Sequence, residues 1–243
     1  QRSTLFPYTT LFRSSCSPRV CTDFGGSPTV KVPGGASMAT TRPRASAGRA
    51  LQAERVERSG DRCPKKRPDH ALRAPVDLLA ARGRELTVEP CSLRDKCRAL
   101  NRVLFHEYGF RGDTENYTDP ANSFIDRVLA RRRGLPITLS IVYLLVAQRI
   151  GLQLEPVGVP THFLVGCFAE DAPFFIDPFH QGTLLSAGEV FTLLRGNNVI
   201  PQISDLAPTP VREVLCRCCR NLVSHYAAAG ETGKSQLFAG FVG

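Results

Sequence analysis

Residues 135–150, LPITLSIVYLLVAQRI, are apolar on nearly every side of a helix, and this stretch constrains the fold more than any other. A helix with one apolar stripe can lie on a surface, whereas one that is apolar all round must be covered on most sides. Its apolar run falls short of the roughly 18 residues that a bilayer span needs. It is therefore expected to be a central core helix, opened by Leu135-Pro136-Ile137-Thr138 and closed by Gly151.

The flanking sequence supplies the cover. A helix is expected from about Ser92 to Tyr108, with Leu93, Cys97, Leu100, Val103 and Leu104 at helical spacing. Ser92 caps it and Gly109 ends it. A shorter helix in DLLAARGREL, near Asp77, marks where order begins. Asp119-Pro120 opens another, because Asp119 can accept from free N–H groups and Pro120 lacks the N–H that would go unpaired there. Phe124, Ile125, Val128 and Leu129 form its buried stripe, Arg131 to Arg133 sit in its last turn, and Gly134 stops it. Beyond the central helix, LEPVGV, THFLVGCF and PFFID read as three short strands, with 169–172 as a turn. Ser186 and Glu189 have capping-box spacing, and Thr209-Pro210 starts a last helix that Gly230 ends. The fold class is α+β, with helices packed on a small antiparallel sheet.

Charge divides the chain. Residues 1–75 carry 14 Lys/Arg against 5 Asp/Glu, and the remaining residues carry 17 of each. The whole excess of +9 lies in a Pro/Gly/Ser/Arg-rich leader, which reads as a disordered, solvated segment. A neutral folded part argues against a nucleic-acid partner, and no run suggests a membrane partner. Within the leader, residues 4–14, TLFPYTTLFRS, match the translation of a widely used sequencing adapter and are excluded from fold reasoning. Met38 is a plausible start, and the Arg/Ala/Ser/Thr-rich stretch after it would suit an organelle transit peptide. The basic cluster CPKKRP at 63–68 is a weak nuclear-signal match. Nine cysteines without a repeating spacing fit a reducing, intracellular setting, with the cytoplasm as the default. Three regions result: the leader at 1–75, a folded domain at 77–205, and a helical region from 206 to 243.

The chemistry-bearing pair is His162 and Asp177, on neighbouring strands. An aspartate that holds one imidazole nitrogen fixes the tautomer and leaves the other nitrogen free as a base. Such a pair serves a thiol or hydroxyl at the N-terminus of a buried helix, where the dipole lowers a thiol's pKa. Here that helix begins without a cysteine. Thr138 and Ser140 are weak candidates, and the odd separation of Cys167 from His162 points the two to opposite faces. The alternative is a buried hydrogen-bonded pair that pins two strands. Cys216, Cys218 and Cys219, with His225 further along, suggest a metal, but they lack a second pair at zinc-ligand spacing. Incidental thiols are favoured there, so neither a metal nor a cofactor is expected.

The stretch from about Leu100 to Leu194 resembles the second type of transglutaminase-like core, found in bacterial proteins named after an invasion-gene regulator and in an animal F-box protein. The matching pieces are LNRVLFHEYGFRGDTENYTDPANSFIDRVLARRRGLPITLSIVYLLVAQRIGL, VPTHFLV and FIDPFHQGTLL. The resemblance marks Asp119, Pro120, Asn122, Gly134, Pro136 and Pro160 as motif positions. It places Thr161 where the family has glycine, a change read as mild. By motif, His162 and Asp177 match the last two members of a Cys-His-Asp triad, while the cysteine position falls near Pro136–Thr138. Loss of that cysteine is typical of the second type. The resemblance therefore implies a soluble regulatory or protein-interaction module more than an enzyme. The rival is an amide-bond hydrolase or acyltransferase with a non-standard nucleophile. It also implies that PVREVLCRCCRNLVSHYAAAGETGKSQ enters a tetratricopeptide-like region, cut short here.

Overall fold

The computed structural model describes residues 69–242. Most of the leader, with the 4–14 string, Met38 and the 63–68 cluster, lies outside them.

Helix α1 (Asp69–Leu86) begins earlier than the sequence suggested, and it carries Pro75 in its interior. A proline inside a helix costs about 3 kcal/mol. Leu72, Val76, Leu79 and Ala80 are all buried along one stripe. At about 1.5–3 kcal/mol for each large apolar side chain, that burial outweighs the proline. Helix α2 (Leu93–Asn101) is capped by Ser92, whose Oγ accepts from the Asp95 N–H at 3.1 Å. It runs on as a π-helical turn, Arg102–Glu107, and Gly109 follows at φ 69°.

The Asp119-Pro120 segment differs from the single helix expected. Pro120–Ser123 form a separate 3-10 turn, with Asp119 Oδ1 accepting from the Ala121 N–H at 2.9 Å. Phe124 is extended, and α3 (Ile125–Arg131) starts after it. The physical reason is Asn122, which is fully buried. Its amide donates to the Asn116 carbonyl at 2.8 Å, and its own carbonyl accepts from Thr138 Oγ1 at 2.8 Å. A continuous helix would direct that carbonyl at a backbone N–H instead.

Gly134 is not the stop of α3. Arg132 takes the left-handed conformation at φ 57° and ends the helix. Gly134 lies in the short strand β2 (Arg133–Gly134), which pairs in parallel with β1 (Arg111–Gly112). A side chain at 134 would place its Cβ 2.8 Å from Thr138 Oγ1 and 3.0 Å from the Val128 methyls, so close packing requires the glycine. The three arginines also part company. Arg131 reaches Asp119 at 2.8 Å and buried Asp113 at 3.3 Å, while Arg133 reaches Glu115 at 2.8 Å.

Helix α4 (Pro136–Arg149) is the expected centre, with every residue from Pro136 to Ala147 buried. The second sheet is antiparallel in the order β3 (Glu155–Val157), β4 (Leu164–Cys167), β5 (Phe174–Asp177) and β6 (Thr183–Ser186). Side chains alternate across it. Val165, Cys167, Phe174 and Ile176 join the cluster around α4, whereas Leu164 and Phe175 meet Val190 and Leu194 of α5 (Ala187–Gly196). The sheet is thus covered on both faces. Strand β6 was missed because its side chains are exposed or half-buried, so it shows no clean alternation.

The capping box of α5 forms in both directions, Glu189 N–H to Ser186 Oγ at 3.3 Å and Ser186 N–H to Glu189 Oε2 at 2.7 Å. Helix α6 (Val211–Ala228) follows Pro210 as its cap, and α7 (Thr232–Ala239) folds back on it, with Tyr226 and Phe238 stacked at 5.7 Å. Among the described residues, no helix is long and apolar enough to cross a membrane.

Thr138 ties this frame together. Its Oγ1 donates to the Asn122 carbonyl and accepts from the Leu135 N–H at 2.9 Å. Thr138→Val is expected to leave both groups buried and unpaired and to cost about 1–3 kcal/mol. Thr138→Ser should lose much less, and urea unfolding of both variants against wild type checks it.

Candidate functional site

His162 does not begin a strand; it lies in the turn before β4, and its ring is 8% exposed. Its Nε2 stands 2.8 Å from Asp177 Oδ2. Asp177 closes β5 and is 1% exposed. An ionised carboxylate only accepts, so the bond places a proton on Nε2 and leaves Nδ1 to act as base. The sequence-predicted pair is therefore brought together at hydrogen-bond distance.

Asp177 serves more groups than that pair. Its Oδ1 accepts from the backbone N–H groups of Phe179 and His180 at 3.0 and 3.2 Å, capping the 3-10 turn Pro178–His180. Its Oδ2 is also 2.7 Å from Nδ1 of His180, a residue the sequence reading passed over. The signal was present in Asp177-Pro178-Phe179-His180, where a turn brings the fourth residue back over the first. Burial by itself would raise the Asp177 pKa, and it is the largest single influence. The hydrogen bonds and charge of His162, then of His180, outweigh it and hold the carboxyl below its ordinary value.

The first turns of α4 carry no cysteine. A cavity of about 170 Å³ beside His162 is lined by Tyr117, Pro136, Ile137, Thr161, Arg217 and Asn221. Thr138 is committed to its capping bonds, and Ser140 Oγ donates to the Phe163 carbonyl at 3.4 Å. Cys167 is buried opposite Phe174, at the end of the β4–β5 pairing away from Asp177. Burial pushes the Cys97 thiol up to about 12, and it raises Cys218 and Cys219 as well. None of these three is activated.

Arg217 had no local signal in the sequence. It sits on α6, and its Nη2 donates to the carbonyls of Val159 and His162 at 3.0 and 3.1 Å, with the guanidinium over the Phe163 ring. Thr209 adds to the clamp, accepting from the Gly158 N–H at 2.7 Å. Helix α6 thereby fixes the turn that carries His162. In that turn Thr161 adopts φ 64°. A β-branched residue is costly in the left-handed region, so the exchange of glycine for threonine there is not mild.

Of the motif positions, Asp119, Pro120, Asn122 and Gly134 build the support beneath α4, and Pro136 walls the cavity. Pro160 lies in the same turn as Thr161. Among the described residues, the donor atoms that gather closely enough for a metal are those of His162, Asp177 and His180, all within 4.8 Å of one another. As they stand, two imidazoles share one carboxylate oxygen at hydrogen-bond distance. Cys216, Cys218, Cys219 and His225 form no such set, and Cys218 packs in the core.

Two outcomes are expected. A folded-state pKa held below the unfolded one adds stability above the unfolded value, near 3.9, and that stability fades as pH falls through the folded one. Asp177→Asn should therefore destabilise the protein at neutral pH, with the gap to wild type narrowing below about pH 4. Thr161→Gly should relieve the backbone and stabilise by about 0.5–1 kcal/mol after the entropy cost of glycine. Thermal melts across a pH series read both, and a Thr161→Gly variant no more stable than wild type would refute the strain.

Comparison with known proteins shows the family to which the chain belongs. The family model of the transglutaminase-like superfamily matches residues 70–220. A UPF0162 protein of Xylella fastidiosa is 36% identical over 165 residues, covering 65% of this chain and 57% of the relative. F-box only protein 21 of Mus musculus is 36% identical over 134 residues, 52% of this chain and 21% of the relative. A UPF0162 protein of Vibrio cholerae is 37% identical over 83 residues, 34% of this chain and 31% of the relative. The chain thus spans less than two thirds of each of these relatives. No solved structure matches it. By the match along residues 70–220, the chain belongs to the transglutaminase-like superfamily, in its second core type.

Proposed function

We propose that the chain is a transglutaminase-like domain without the thiol nucleophile, working as a regulatory or protein-interaction module and not as an enzyme. The observation that supports this reading is the α4 terminus, where Pro136 and Ile137 line the cavity that also borders His162. Acyl transfer through a covalent intermediate requires an attacking group within reach of the base, and the two α4 side chains that line the cavity, Pro136 and Ile137, offer none. A relative named as an F-box protein is in keeping with protein interaction. Helices α6 and α7 pack on each other across a short turn, which supports reading 206–243 as the start of a tetratricopeptide-like region. In this reading the domain at 77–205 presents a surface, and the His162/Asp177 pair holds two segments in register.

A second reading keeps catalysis. It is favoured by one observation: Asp177 holds Nε2 of His162 while His162 also borders a cavity. A hydroxyl or thiol brought from elsewhere would then be the nucleophile of an amide-bond hydrolase or acyltransferase.

The two part on one experiment. The full chain is incubated with p-nitrophenyl acetate and with a glutamine-bearing peptide, and its thiols are titrated with iodoacetamide at neutral pH, each beside His162→Ala. No turnover and no alkylation that depends on His162 is expected. Turnover lost on His162→Ala would overthrow the non-enzymatic reading. Ile137→Cys is expected to create what the wild type lacks. The new thiol, near a helix N-terminus and an imidazole, should fall toward a pKa of about 7 and alkylate faster than a free cysteine. That advantage should vanish in Ile137→Cys/His162→Ala.

A further inference from the structure

A second concavity lies apart from the cavity at His162. It has a volume of about 960 Å³ and runs between α2 with its π-helical turn, the β1 segment and the 178–183 turn. Its charged lining is of one sign: Arg98, Arg102 and Arg111, joined by His106 and His180, with no Asp or Glu among the lining residues. The part of the chain from residue 76 on has equal numbers of basic and acidic residues, so this is local segregation and not a reflection of overall charge. Focused charge in a concave wall raises the potential felt by an incoming anion.

The guanidiniums are available to a ligand. Arg98 pairs with Asp95 at 2.7 Å and Arg102 with Glu107 at 3.2 Å, but both arginines are well over half exposed. Exposed pairs of this kind contribute little to stability and exchange readily for a better acceptor. Glu107 is shared as well, since Arg82 holds it at 2.8 Å. Arg111 has no acidic partner among the described residues. At the floor, the Asn101 amide donates to the Gly182 carbonyl at 2.6 Å. Gly182 stands at φ 74°, where an added Cβ would fall 2.4 Å from the Asn101 side chain. The floor is therefore closely packed, while the basic rim is exposed.

We propose that this groove binds an anionic segment of a polypeptide partner, through carboxylate or phosphoryl groups held by Arg98, Arg102 and Arg111. The volume exceeds that of a single small anion and matches several side chains, since ligand clefts run from roughly 300 to 1,000 Å³. The Phe179 ring and the arginine stems supply apolar surface that an extended peptide also uses. A nucleic acid fits less well, because the charge lies in one concavity and not along a track. The proposal deepens the protein-interaction reading and rests on it only for the partner being a polypeptide. His180 links the two sites, lining this groove while bonding to the carboxylate that holds His162.

The test is fluorescence anisotropy with the full chain and four labelled probes: a Glu-rich peptide, a phosphoserine peptide, a neutral peptide and a single-stranded RNA. Because the leader is itself basic, the comparison is between wild type and Arg102→Glu/Arg111→Glu, with the leader unchanged. Binding of either anionic peptide, weakened about tenfold or more by the reversal, is expected. Which of the two binds distinguishes carboxylate from phosphoryl. Arg102→Gln/Arg111→Gln, a milder change at two exposed positions, should give a smaller loss in the same direction, and thermal melts confirm that both variants fold. Affinity that ignores both variants would overturn the proposal by assigning the binding to the leader. Preference for RNA, or no binding of any probe, would overturn it too. Turnover that depends on His162 would sink the non-enzymatic reading without touching the groove, and loss of the groove would leave that reading standing.

Discussion

The rest of the structure depends on covering α4. Its apolar residues leave no face that water can wet, so α1, α3, α6 and the sheet must each lie against it. The consequence reaches the other elements. Pro75 is carried inside a helix because the stripe around it belongs to that cover. The sheet is buried on both faces because α4 takes one side and α5 the other. Burying the start of α4 also buries polar backbone, which water can no longer satisfy. Thr138 and Asn122 meet that need, and the requirement breaks the Asp119-Pro120 segment into a turn and a separate helix.

The same geometry explains what the site lacks. In a catalytic version of this arrangement, a thiol would stand at the α4 terminus against the imidazole. Here Pro136 and Ile137 line the cavity at that terminus, and the Thr138 hydroxyl is spent on structure. Asp177 is buried for a local reason, because it caps the turn after β5 and anchors two imidazoles at once. These bonds give the pair an architectural role independent of any nucleophile. Arg217 belongs to the same logic, since a helix late in the chain holds the carbonyl of His162 in place.

Legibility differed sharply between kinds of feature. Features set by neighbours in sequence were readable: the Ser92 cap, the Ser186/Glu189 box and the three strands with their turn. The His162/Asp177 pairing was readable too, because two strands joined by a short turn must bring their ends together. Gly134 was misread for a physical reason. A glycine after a helix usually supplies the left-handed stop, but here Arg132 bears that conformation and the glycine answers to Thr138 and Val128 across the fold. Strand β6 was invisible because an exposed edge strand needs no alternation.

By itself the sequence determined that a helix apolar on every side would be central, that the fold would be α+β, and that no cysteine would open that helix. These follow from periodicity and composition, which act over a few residues. Only the tertiary structure decided that α6 would clamp the His162 turn. It also gathered Arg98, Arg102 and Arg111 from two segments around one groove. Each of these joins residues whose separation along the chain carries no local signal, and they meet because the cover over α4 has to close.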